Sequence, residues 1–176
     1  MTSTTSATDE KIMSATMAKL ELMSLNSETL DLDWVDIATL LHARGAKLEL
    51  VTRMQDLWEK TKIIAGEVVN VGRILVLKIW EFIKNNPNIV LGIAIGAAIG
   101  ALVNLIPFIG PILAPIAIAI GATIFALAGH RIDKIEGGET VTGSMFEDII
   151  TIAKRFFKLI ADIFRALRDE YFADGI

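Results

Sequence analysis

From Asn85 to His130 the chain carries no formal charge, and within that stretch Ile89 to Gly129 has only two clearly polar side chains, Asn104 and Thr123. A run of 41 such residues is about twice the roughly 20 that one spanning helix needs. It must serve as a buried core, as a membrane element, or as each in turn. Leu105-Ile106-Pro107-Phe108-Ile109-Gly110-Pro111 interrupts the run at its middle. Proline removes a backbone donor and glycine frees the chain, so Pro107, Gly110 and Pro111 predict a turn. The expected object is a helical hairpin, Ile89–Ile106 outward and Ile112–Gly129 back. Each arm has 18 residues, about 27 Å of helix and close to the thickness of a hydrocarbon core. If the second helix starts only at Pro115, that arm is short. The hairpin would then thin the bilayer or sit as a deep re-entrant wedge.

The rest of the chain is ordinary by comparison. Hydrophobic residues make up 53% of the 176, yet charged residues hold at 22%. The excess apolarity is therefore local, and disordered or low-complexity classes are excluded. Net charge is −4, so nothing here is built to neutralise nucleic acid. The absence of cysteine excludes disulfide staples and thiolate zinc sites. Lys78 and Lys84 precede the hairpin, and Arg131 and Lys134 follow it. These four are the expected membrane-surface anchors, and they put both ends of the hairpin on one side.

The first arm reads LGIAIGAAIGALVN, with Gly92, Gly96, Gly100 and Asn104 at steps of four. On a helix they form one face with little bulk. In lipid such faces let backbones approach closely and gain van der Waals contact. Ala117 and Gly121, then Ala122 and Ala126, repeat the spacing on the second arm. The partner of the stripe is either the other arm or another molecule. In water each helical glycine costs roughly 1 kcal/mol of propensity, which close packing must offset.

The flanks read as amphipathic helices. After a disordered tail over residues 1–8, Asp9 to about Met23 places Ile12, Met13, Met17 and Leu20 on one side. Thr29–Arg44 follows, with Trp34, Ile37, Leu40 and Leu41 as its apolar face and Gly45 as its stop. Ala46 to about Lys84 is helical in pattern throughout, bent or divided near Gly66 or Gly72. Beyond Gly137-Gly138, Ser144-Met-Phe-Glu147 matches a capping box at the head of a last helix. Its apolar positions run through Phe146, Ile149, Ala153, Phe157, Ile160, Phe164 and Leu167. The expected fold is all-α: six or seven helices around a central hydrophobic hairpin, in one domain over residues 9–176.

Catalytic constellations are sparse. His42 and His130 are far apart without metal-ligand spacing, and His42 suits a helix C-terminus. Gly138–Ser144 has the glycine spacing of a phosphate loop but no lysine. Asp31, Asp33 and Asp36 sit where acids cap a helix. No enzyme activity, metal or cofactor is expected.

An apolar hairpin at Ile89–Gly129, turned at Pro107–Pro111 and wrapped by long amphipathic helices, resembles the pore-forming domain of colicins. The glycine-rich stripe Gly92–Gly100 is a departure from that family, and no receptor-binding or translocation region is expected ahead of the domain. The chain is also similar to small antibacterial pore-forming effectors of type VI secretion, which carry glycine zippers. The resemblance implies a toxin that inserts in the target cell's inner membrane, conducts ions and collapses the membrane potential. It further implies an immunity protein, a secretion carrier or chaperone, and self-association in the bilayer. The N-terminal MTSTTSATDEKIMSATMAKL has no basic n-region or apolar h-region. Export without a signal peptide, from a soluble form in the producer cytoplasm, is the matching expectation. Two rivals stand beside it: a resident two-span scaffold or regulator that oligomerises through the zipper, and a soluble bundle serving as an interaction module.

Overall fold

A computed structural model describes residues 13–121 and 140–176. Helix α1 (Ala15–Thr29) begins where the Ser14 hydroxyl accepts the Met17 N–H at 3.2 Å, which satisfies one donor of the open first turn. Ala18, Leu22, Leu25 and Thr29 are its buried positions. Met17 and Leu20, expected on the apolar face, are 48% and 63% exposed. The correction is one of rotation: packing against two other helices selects the Ala18–Leu22 side, and Ile12 lies outside the described residues.

Helix α2 (Trp34–Ala43) is capped by Asp33, whose carboxylate accepts the Val35 N–H at 3.0 Å. It ends as expected at Gly45. With φ at +89°, Gly45 donates to His42 O at 2.9 Å while Ala46 donates to Leu41 O at 3.0 Å. This paired closure needs a left-handed residue, and glycine takes it without a Cβ penalty. Helix α3 (Leu48–Trp58) then buries Leu50, Met54, Leu57 and Trp58.

The chain from Ala46 to Lys84 is not one helix. Strands β1 (Lys62–Ile64) and β2 (Glu67–Val69) pair antiparallel, with Ile63 opposite Val68. The connection is Ala65-Gly66, both at positive φ, 54° and 81°. Two left-handed residues between β-branched pairs make a tight hairpin whose twist suits the strands. Asn26 of α1 holds it in place. Its amide donates to Val68 O at 3.3 Å, and its carbonyl accepts from Asn70 N–H at 2.7 Å.

Helix α4 (Val71–Asn85) follows, and nine of its fifteen residues are buried. Helix α5 (Leu91–Leu105) packs on it, and a 3-10 turn (Pro107–Ile109) leads into α6 (Gly110–Ile120). The turn falls at Pro107–Ile109; Gly110 and Pro111, expected within it, already belong to α6, where proline suits the first helical positions. The first arm is shorter than expected, 15 residues or about 22 Å, and α6 supplies 11 residues or about 16 Å. Gly121, at φ +102°, ends α6, and the remainder of the second arm lies outside the described residues. No helix among the described residues is long and apolar enough to cross a membrane.

The last stretch is two helices, α7 (Thr140–Phe156) and α8 (Lys158–Tyr171), which meet at Phe157. Ser144 lies inside α7 rather than capping it, so the box-like spacing is incidental. The break lets Phe157 turn inward against Phe82 of α4, with ring centroids 5.6 Å apart. The fold is all-α as expected, with eight helices and one small two-stranded sheet among the described residues. Helix α5 is central. It touches α4, α6, α7 and α8, while α1 packs on α4 and α8, and α3 on α2, α4 and α6.

Candidate functional site

The hairpin is built from unlike arms. Leu91, Ala94–Ile99, Ala101 and Leu102 of α5 are buried, so that arm is the core of the bundle. Helix α6 has no polar side chain, yet only Leu113 and Ile116 are buried. Pro111, Ala114, Pro115 and Ile118 are exposed, Ile118 to 75%. Their spacing puts them along one side of the helix. That apolar side borders an open groove of about 560 Å³, whose other lining is charged, with Arg53 and Asp56 of α3 and Glu59 and Lys60 just beyond it. Pro115 sits inside α6 without ending it.

The glycine stripe has several surroundings. Gly96 is buried within α5, and Gly92 lies at the helix start, half-buried. A Cβ added at Gly100 would meet Ile150 Cδ1 of α7 at 3.8 Å, an ordinary contact. In this state Gly100 faces α7, and no close approach among the described residues requires its lack of a side chain. Asn104 is exposed in the last turn of α5. Ala117 is half-buried on α6, and Gly121 terminates that helix instead of sharing its face. Gly110 opens α6 with ordinary helical geometry, its φ at −48°.

The turn itself is clamped. Phe108 packs on Phe172 at 5.9 Å between centroids, and Phe172 stacks on Phe164 at 5.0 Å. The Arg168 guanidinium lies 5.7 Å from the Phe108 centroid, within reach of a cation–π attraction. Phe172 ends α8 and is 1% exposed. The segment beyond it is tied down by Lys62 of β1, whose ammonium reaches Asp174 Oδ1 at 2.6 Å and Gly175 O at 2.8 Å. Lys19 of α1 holds the end of α8, with Glu170 Oε1 at 3.4 Å and the Tyr171 ring centroid at 5.1 Å.

The hydrogen bond from Lys62, followed by a backbone hydrogen bond and the Lys62 charge, holds the Asp174 carboxyl below its ordinary value. A carboxyl depressed in the folded state stabilises above its unfolded value and stops doing so as the pH falls through the folded one. Amide protection at Gly175 is therefore expected to fade on acidification through the low carboxylate range. In Asp174→Asn the fade should be absent. The same acid profile in both proteins would show that the tie to Lys62 does not hold the segment.

Of the expected anchors, Lys78 pairs with Glu81 at 3.0 Å and Lys84 is exposed in the last turn of α4. Arg131, Lys134 and His130 lie outside the described residues. Asp33 caps α2 and Asp36 lies in its first turn, while His42 stands in its last. Among the described residues no group of three or more His, Cys, Asp or Glu could hold a metal ion. Models of protein families, curated proteins and solved structures offer no match to this chain.

Two features were missed from sequence. A Cβ at Gly72 would lie 1.6 Å from Leu57 O, so α4 starts almost against the end of α3. The clamp on Phe108 was also missed. Its one signal was the pair Tyr171-Phe172 following Arg168-Asp169-Glu170, where a solvated helix end gives no reason for aromatics.

Proposed function

We propose that this chain inserts into membranes through the α5–α6 hairpin and permeabilises them to ions, as a toxin of the pore-forming type. The observation that carries the proposal is α6. An entirely apolar helix presents Pro111, Ala114, Pro115 and Ile118 at the surface. Apolar area left in water forgoes about 25 cal/mol per Å², and contiguous patches of that kind mark surfaces for lipid or protein. The clamp at Phe108 supports the same reading, because it gives the hairpin turn a removable cover. Helix α5 with 15 residues and α6 with 11 each fall short of the roughly 30 Å hydrocarbon core. Entry is accordingly as a wedge, turn first, with α7 and α8 settling at the interface through their apolar sides. In this reading Gly100, where an added Cβ would meet Ile150 Cδ1 at 3.8 Å, finds its close partner after entry.

A cysteine-free chain makes the test simple. Ile118→Cys and Glu28→Cys, each carrying an environment-sensitive fluorophore, are mixed with dye-loaded vesicles of phosphatidylglycerol and phosphatidylcholine. The Ile118 label should shift to the blue as dye escapes, while the label at exposed Glu28 stays aqueous. No shift and no release at any pH would overturn the proposal and leave the α6 face as a protein-docking surface.

A further inference from the structure

The open end of the hairpin, opposite the clamped turn, carries a second cavity. It has about 210 Å³ and lies where the α2–α3 corner meets the start of α5 and the end of α6. Arg44 and Lys47 stand on one side, with Leu50, Val90, Gly92 and Ile120 among the other lining residues. No carboxylate lines it among the described residues. Neither cation makes a salt bridge or side-chain hydrogen bond with a described residue, a property they share with Lys60, Lys84, Lys154 and Arg155 but not with Lys19, Arg53, Lys62, Lys78, Lys158 or Arg165. Val90, at the lip, is 69% exposed.

From this geometry we infer that the cavity binds the phosphate headgroup of one anionic phospholipid. Two exposed cations beside an apolar wall, with no carboxylate among the described lining residues, suit an anion, and phosphate accepts from both ammonium and guanidinium. A free inorganic anion would gain nothing from Leu50, Val90 and Ile120. A headgroup whose glycerol and first methylenes continue into apolar chains uses both walls. The volume is below the roughly 300–1,000 Å³ that enclose a drug-sized ligand, so the cavity holds the headgroup and leaves the chains to run outward over Val90. The inference rests on turn-first entry and deepens it. When Pro107–Ile109 lies deep, the start of α5 and the end of α6 come to the level of the headgroups. One lipid held there fixes how far the hairpin enters.

The test uses the full chain and short-chain lipid below its micelle concentration, read from amide shifts at Gly45, Lys47 and Gly92. Dihexanoyl phosphatidylglycerol should shift these amides and saturate. Phosphatidylcholine of the same chain length, glycerol phosphate and inorganic phosphate should each bind at least about tenfold more weakly. Arg44→Gln with Lys47→Gln changes only exposed side chains and should lose about tenfold in affinity, as expected for charge-assisted contacts. Val90→Ser removes part of the lip at a position where serine suits a helix start. It should weaken the lipid and leave inorganic phosphate unchanged. Equal binding of phosphatidylcholine, equal binding of inorganic phosphate, or full affinity in the double glutamine variant would each overturn the inference. Failure here is separable from failure of the membrane proposal. Dye release without short-chain lipid binding removes the headgroup site alone, and lipid binding without dye release removes the insertion.

Discussion

Gly72→Ala is expected to destabilise the protein by about 3 kcal/mol, although alanine is the better helix former by about 1 kcal/mol. The reversal of sign comes from one contact. The new methyl group would sit 1.6 Å from Leu57 O and 3.0 Å from Lys60 N, and a backbone carbonyl cannot rotate out of the way. Relief requires α4 to move off α3. That would break the Gly72 N–H bond to Lys60 O, now 2.9 Å, and open the layer that holds Leu57, Val71 and Leu75 at 2% exposure or less. Gly100→Ala is the matched control, with only Ile150 Cδ1 at 3.8 Å. It should gain up to about 1 kcal/mol by propensity. Urea unfolding followed by tryptophan fluorescence separates the two, since both should shift the midpoint with little change in slope. A neutral Gly72→Ala would mean that α3 and α4 do not cross this closely. If the stripe packs closely in lipid, Gly100→Ala should also slow vesicle release despite its extra stability.

Phe172→Ala is expected to remove about 3–5 kcal/mol, the usual loss for truncating a buried phenylalanine. It should also accelerate dye release. The side chain lies between Phe164 and Phe108, so its removal empties the space under the hairpin turn and frees the first part to enter. Stability loss alone would speed release somewhat by populating open states. Leu22→Ala supplies that baseline, because Leu22 is equally buried but lies on α1, with no described contact to the turn. At matched stability, Phe172→Ala should release dye faster. Equal rates would make the clamp an ordinary part of the core.

The hairpin was legible because its evidence is local. A charge-free run with Pro107 in the turn and Pro111 at the head of α6 settles the reversal through covalent restriction of φ and a missing N–H, whatever surrounds it. The stop at Gly45 was legible for the same reason, whereas the start was not: the helix expected from Thr29 begins at Trp34, and Asp33 alone of the three acids caps it. The strands at Lys62–Val69 were not legible either. Ile63-Ile64 and Val68-Val69 satisfy a helical pattern as well as an extended one, and short apolar runs do not decide between the two periods. Ala65-Gly66 tips the balance, but Asn26 holds the result from some forty positions earlier in the chain. The rotation of α1 failed similarly. Met17 and Leu20 are apolar enough for a core, and only the placement of α4 and α8 chose Ala18 and Leu22 instead.

The amino-acid order alone determined that this chain is helical, that its apolar excess is concentrated in one turned segment, and that Pro107–Pro111 is where that segment reverses. Those properties follow from backbone restriction and side-chain polarity within a few residues. Tertiary structure decided what each arm faces. It buried α5 at the centre, left one side of an equally apolar α6 in solvent, and set Phe172 over the turn. It also left Arg44 and Lys47 beside a cavity with no carboxylate among its described lining residues. These outcomes depend on which surfaces meet when all the helices compete for the same buried area, and that competition is global.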